Sequence, residues 1–205
     1  MITYMPESLR MKRSIDRLLK EKGGVVRTRD AVDAGLSRAT LANMVKSGVL
    51  ERVAHGVYIR QGDLCDEMYV LALRSDRIVF SHETALWLNG LSDRVPIQYH
   101  VTVPTGAPLG AELRGDCICH YVDKRLQGLG ICFKKTAFGH MVQCYDAERT
   151  ICDVVRDENR VGIEALVGGL KAYAERSDKD VLRLMEMARA FSVEKEISRY
   201  MGVLS

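Results

Sequence analysis

Apolar positions in the first sixty residues recur at helical spacing and then at strand spacing. Ile15, Leu18 and Leu19 fall on one side of a helix predicted over Leu9–Lys22, with Ser8 as its cap and Gly23-Gly24 behind it. Val25-Val26 reads as a short extended segment. Thr28 is the expected cap of a short helix ending at Ala34-Gly35, and Ser37 caps the next, since a hydroxyl oxygen accepts from the free N–H groups of a first turn. That second helix carries Leu41, Met44 and Val45 on one side and Arg38, Thr40 and Asn43 on the other. Gly48 stops it. Two β-runs follow, LERVA and GVYIR, joined at His55-Gly56. Helix, tight turn, helix and hairpin is the order of a winged helix-turn-helix.

The pattern changes after Gln61-Gly62-Asp63, the expected hinge. A helix is predicted over Cys65–Arg74, a short buried strand over 78–80, and a helix over HETALWLNG with Ser81 as its cap and Glu83-Thr84 in its first turn. YHVTVP (99–104) alternates as a strand, and TGAPLGAELRG reads as a Gly/Pro loop. CICHYV (117–122), ICFKKTAF (131–138) and HMVQCY (140–145) are further strands. From Asp146 onward the chain reads as four helices: DAERTICDVVR, IEALVGGLKAYAER, KDVLRLMEMARAF and VEKEISRYMGVL. The expected fold class is α+β. A winged helix-turn-helix over 1–62 is followed over 63–205 by a small mixed β-sheet domain with a helical C-terminal part, its strand order open.

Charge sharpens this division. The chain of 205 residues has a formal net charge of +3, but residues 1–62 hold 12 Lys+Arg against 6 Asp+Glu, while residues 63–205 hold 18 against 21. A basic head on a mildly acidic body suits a DNA-contacting module joined to a part with another task. No run of about 18 apolar residues is present, and MITYMPESLR has no apolar leader core. The six cysteines form no CxxC pair. These features together lead to the expectation of a cytoplasmic chain with reduced thiols.

The polar side of the second helix holds the best candidates for base contacts. Arg38 can pair bidentately with guanine and Asn43 with adenine, with Thr40 beside them. Ser37 and Lys46 are expected on phosphate, as are Thr28 and Arg29 at the start of the preceding helix. Arg52, His55 and Arg60 lie on the expected wing, although His55 serves equally as a plain turn residue. The competing reading of all these positions is a solvated face on a protein–protein module.

Other constellations favour plain structural readings. His82-Glu83 begins like a zinc-protease motif, but position 86 is Leu and the second ligand is missing. Cys117-x-Cys119 sends both thiols to one face of a strand and His120 to the other, which disfavours tetrahedral ligation. TGAPLG lacks the Lys-Ser/Thr of a phosphate loop. Asp146 and Glu148 suit a capped helix start, with Asp153 further along the same helix. Lys124, Arg125, Lys134 and Lys135 make a small basic patch that suits a solvated strand edge better than a nucleic-acid footprint. Leu182, Leu184, Met185 and Met187 are expected to pack internally. No metal, catalytic residue or cofactor is assigned.

The phrases SHETALWLNGLSDRVPIQYHVTVPTG (81–106) and QCYDAERTICDVVR (143–156), with the helical tail, resemble the AbiEi-type antitoxins, transcriptional regulators of abortive-infection AbiE toxin–antitoxin systems. The N-terminal rhythm of Gly24, Thr28, Ala31, Gly35, Leu41, Gly48, Leu50, Arg52, Gly56 and Tyr58 fits that family's layout, with Thr28 where the pattern has Arg. The resemblance implies a non-enzymatic repressor that binds promoter inverted repeats of its own two-gene operon, as a possible dimer on DNA. It also implies an antitoxin that opposes a nucleotidyltransferase-like toxin without a stable complex. The alternatives from other classes are a nucleic-acid-processing enzyme with a DNA-binding head, and a protein–protein adaptor built on a degenerate winged helix.

Overall fold

The computed structural model describes residues 7–204, with side-chain burial assigned over 9–202. Residues 1–6 of the segment read for a leader lie outside it. The chain divides into two compact units, Met1–Arg74 and Ser75–Ser205.

In the N-terminal unit, α1 (Glu7–Glu21) leads to β1 (Val25–Arg27), α2 (Thr28–Asp33), α3 (Arg38–Lys46), β2 (Leu50–Ala54), β3 (Val57–Arg60) and α4 (Glu67–Arg74). Ser8 lies inside α1 and its side chain is outside the described set, so its expected capping role is not assigned. The three strands form an antiparallel sheet of order β1-β3-β2. Ile15, Leu18 and Leu19 of α1 meet Ala31, Leu36, Leu41 and Met44 in one core with Val26 and Leu50. The apolar stripe of α3 is therefore inward, as its spacing required. Val70 of α4 packs with Val25, Val57 and Ile59. That contact carries the unit past the hinge expected at 61–63, because the sheet would otherwise leave its second apolar face in water.

One cap differs from expectation. Thr28 is the first residue of α2 and Arg27 holds the cap position. The Asp30 carboxylate accepts from the Arg27 backbone N–H at 3.1 Å and from its guanidinium at 2.9 and 3.0 Å. The Arg27 hydrogen bonds hold the Asp30 carboxyl below its usual range against the opposing effect of burial. Thr28 instead turns to the hairpin, donating its backbone N–H to Gly56 O at 2.8 Å and its hydroxyl to the same oxygen at 3.4 Å. A Cβ on Gly56 would stand 3.2 Å from that hydroxyl, and the residue's φ of +70° already favours glycine.

The C-terminal unit holds β4 (Val79–Phe80), α5 (His82–Leu88), β5 (Tyr99–Pro104), α6 (Ala111–Asp116), β6 (Cys117–Val122), β7 (Ile131–Lys135), β8 (Met141–Tyr145), α7 (Ala147–Arg156), α8 (Ile163–Glu175), α9 (Val181–Ala190) and α10 (Glu194–Leu204). Its sheet runs β6-β5-β4-β8-β7 and is mixed: β5/β6 and β4/β8 are parallel, β4/β5 and β7/β8 antiparallel. Helix α6 occupies the stretch read as a loop. Its single buried apolar anchor, Leu113, is too little to create a periodic pattern. Strand β7 forms one edge, with Ile131 and Phe133 exposed on it. Among the described residues no helix is long and apolar enough to cross a membrane.

The core of this unit is built around α7, whose residues 147–155 are all buried. Asp146 caps it as expected, accepting from Arg149 N at 2.9 Å. Glu148 lies in the first turn, as expected of a capped helix start. It is buried and accepts from Tyr173 Oη at 3.0 Å. Arg149 is fully buried beside Asp153, 3.0 Å away. Its Nη1 donates to Leu126 O and Leu129 O at 2.9 and 2.8 Å, and its guanidinium lies over the rings of Tyr145 and Phe191. Gly130 makes room for it: a Cβ there would come within 2.6 Å of Arg149 Cβ.

Breaking one half of a buried ion pair costs at most about 3–5 kcal/mol here, because Arg156 Nη2, 3.4 Å from Asp153 Oδ1, still compensates part of the charge. Arg149→Leu is therefore expected to lower the denaturation midpoint of the C-terminal unit by that equivalent. Arg149→Leu with Asp153→Leu is expected to recover a large part of it. Urea unfolding of both variants checks this, and a double variant no more stable than the single one contradicts it.

Candidate nucleic-acid interface

Helix α3 presents its outer face to solvent. Ser37 caps it, accepting from Thr40 N at 3.0 Å and lying 2.9 Å from the Thr40 hydroxyl. Arg38, Ala39, Ala42, Asn43 and Lys46 are exposed, while Leu41 and Met44 are buried beneath them. The two alanines matter: between Arg38 and Lys46 they leave a low surface over which a duplex can approach the helix backbone. The cations, the amide and the hydroxyls of Ser37 and Thr40 were singled out from the sequence, yet the alanines were visible there.

The other expected contact residues divide by position. Thr40 is half-buried and held by Ser37, so it sits at the flank of the exposed face. With Asn43 it lines a groove of about 640 Å³ shared with Leu9, Met11 and Lys12 of α1. Arg29 is exposed near the start of α2, whereas Thr28 is engaged with Gly56. On the hairpin, Arg52 and His55 are exposed and bonded to each other, Nη2 to Nδ1, at 3.0 Å, next to the register shift between Arg52 and Ala54. Arg60 points toward α1, where its Nη2 meets Asp16 Oδ1 at 2.7 Å. The structure thus gathers Arg38, Asn43 and Lys46 on one helix face, sets Arg52 and His55 together on the hairpin, and gives Arg60 a structural partner.

A second polar constellation lies inside the C-terminal unit, and the sequence reading missed it. His82, at the start of α5, has a φ of +48°, a left-handed backbone that a residue with a Cβ adopts at a cost. Ser81 precedes it at the cap position but makes no cap bond. Its hydroxyl accepts from Thr102 Oγ1 at 2.8 Å and lies 2.9 Å from His82 Nδ1. His82 Nε2 and His120 Nδ1 converge on Asp157 Oδ2, at 3.1 and 3.0 Å. The two rings stack, centroids 3.4 Å apart and 14° from parallel, and His120 Nε2 lies 3.0 Å from His100 Nδ1. All three imidazoles are buried.

Burial, with the neighbouring imidazoles, pushes His100 down to about 3, and burial lowers His120 despite its bond to Asp157. Burial alone would raise Asp157, but the hydrogen bonds from His120 and His82 hold it well below the usual carboxylate range. Cys117 and Cys119 face away from this cluster, their Sγ atoms 3.6 Å apart, as strand alternation requires. The available signal was the histidine at an alternate position on each of two neighbouring strands, with Thr102 opposite His120 in the register.

Residues 13–61, the segment that carries α2, α3 and the hairpin, match the model of the family described as "Transcriptional regulator, AbiEi antitoxin". The match bears out the resemblance seen in the sequence and supports a regulatory antitoxin role. Regulators of this kind have DNA and a toxin as their general partners. No curated protein matches the sequence. The chain is similar in fold to the crystal structure of the RV2827C protein from Mycobacterium tuberculosis, with a TM-score of 0.65 and 15% identity over 98% of this chain and 82% of that one.

The Ser37 cap orders the end of α3 that carries Arg38. Ser37→Ala is expected to cost about 1 kcal/mol, read as a lower urea midpoint for the N-terminal unit. An unchanged midpoint would mean that packing of Leu41 and Met44 alone sets the helix start.

Proposed function

We propose that this chain is a sequence-specific DNA-binding repressor and the antitoxin of an AbiE-like, type IV toxin–antitoxin pair. In this reading Met1–Arg74 is a winged helix-turn-helix and α3 is its recognition helix. Arg38 and Asn43 read base edges, Arg38 with its guanidinium fork on guanine and Asn43 with its amide on adenine. Lys46, Arg29 and Ser37 lie on phosphates, and Arg52 and His55 follow the backbone from the hairpin. Thr28, Thr40 and Arg60 hold these elements in place and contribute to the interface through them. The observation that carries the reading is the exposed face of α3, with two long polar readers and a lysine set around two alanines.

The finer assignments rest on the family. The operator is a promoter inverted repeat upstream of the chain's own operon, met by two copies related by its two-fold axis. The opposed toxin is nucleotidyltransferase-like and needs no stable complex with this chain. The site has no catalytic step in this reading. The C-terminal unit carries the antitoxin action.

Footprinting on the DNA upstream of the gene is expected to protect an inverted repeat. Arg38→Ala and Asn43→Ala should each lower affinity by about 1–3 kcal/mol and relax specificity at one base position. Lys46→Ala should weaken binding across sequences and reduce the salt dependence by about one counterion. Promoter affinity indifferent to both Arg38→Ala and Asn43→Ala would sink the recognition-helix assignment. Growth arrest that persists on co-expression with the neighbouring toxin gene would sink the antitoxin half.

A further inference from the structure

We propose that His82, His120 and Asp157 form a binding site for a first-row transition-metal dication, with Zn²⁺ the fitting representative. Two imidazole nitrogens and one carboxylate oxygen, all within 4.8 Å of one another, are a borderline N/O donor set of the kind that takes zinc and its neighbours. The distances fit. Bonds of about 2.0–2.1 Å to a tetrahedral ion place adjacent ligand atoms roughly 3.3 Å apart. Here Asp157 Oδ2 stands 3.1 Å from His82 Nε2 and 3.0 Å from His120 Nδ1.

The outer shell is already built. A metal-bound imidazole needs an acceptor for the N–H on its other nitrogen. His82 Nδ1 has Ser81 Oγ at 2.9 Å, itself fixed by Thr102, and His120 Nε2 has His100 Nδ1 at 3.0 Å. In the metal-free chain His82 Nε2–H and His120 Nδ1–H donate to the carboxylate. On binding, each ring proton moves to the opposite nitrogen, toward Ser81 and His100, and the metal takes the vacated lone pairs. His100 then carries its own proton on Nε2, so the ligands release no net proton. The face-to-face rings must turn apart to aim both lone pairs at one point, so binding is coupled to a rotation of the stacked pair.

Two further observations point the same way. The left-handed backbone of His82 is strain at a fully buried polar residue, and such strain persists where a site requires it. Asp157 keeps 21% of its side chain exposed, which gives an ion a way in. Three protein ligands leave a further coordination position for water or a small anionic ligand.

The test uses untagged full-length protein stripped with a chelator. Zn²⁺ is titrated by calorimetry, and Co²⁺ by visible absorption. The expected result is one saturating equivalent, with Co²⁺ bands of a low-coordinate N/O site. Asp157→Asn and His120→Ala should weaken binding about 100-fold or more, and His55→Ala should leave it unchanged. Absence of saturable binding, or an Asp157→Asn variant that binds like the parent, overturns the proposal. Should the variants lose their fold, the parent protein still decides. Zn²⁺ must shift the ring-proton NMR signals of His82 and His120 while those of His55 stay in place, and shifts confined to His55 or His140 overturn the proposal.

Discussion

The C-terminal unit depends on one buried charge. Arg149 carries its guanidinium where water cannot reach it, and the partners of its Nε and Nη1 make that tolerable although Nη2 has no hydrogen-bond partner. Asp153 supplies the opposite charge one helical turn on. The carbonyls of Leu126 and Leu129 take two further N–H groups, and the rings of Tyr145 and Phe191 cover its faces. The arginine thereby joins the end of β8, the connection from β6 to β7, helix α7 and the residue that closes α9. Because α7 is fixed along its whole length, Asp157 at its far end is fixed too. The convergence of His82 and His120 on one carboxylate oxygen thus follows from a contact about two turns away.

The N-terminal unit solves a different problem with different means. The outer face of α3 is exposed, so the helix gains its stability from the opposite side. Leu41 and Met44 supply that, with Ile15, Leu18 and Leu19 of α1 as their floor. The outward residues of α3 are then free of packing duties. The hairpin is tied to the start of α2 through Gly56 and Thr28, and to α1 through Arg60 and Asp16. Thr28 and Arg60 thereby fix how the hairpin sits against α2 and α1.

Legibility from sequence followed the range of the interactions. Ser37 and Asp146 were readable as caps because their partners lie three residues along the chain. Ser81 looked the same and holds the cap position, but it makes no side-chain cap bond, because Thr102 on β5 donates to its hydroxyl. The α3 stripe and the alternation in β5 and β6 were visible as periodicity. Helix α6 was not, since Leu113 alone gives no period. The division of the chain came out beyond the expected hinge because Val70 finds its partners in β1 and β3, which local composition cannot disclose. The histidine cluster was hidden for the same reason in stronger form. Residues 82, 100, 120 and 157 meet only because β5 and β6 run parallel and α7 returns alongside them.

The edge strand β7 carries a last consequence. Ile131 and Phe133 offer an apolar stripe at the open margin of the sheet, where another extended segment can add itself. Lys134 and Lys135 place two positive charges within the same five-residue strand. Mutual repulsion keeps such margins from zipping together in dilute buffer, and dissolved ions shorten the reach of that repulsion. Colloidal behaviour of this protein is consequently tied to ionic strength through a strand remote in sequence from helix α3.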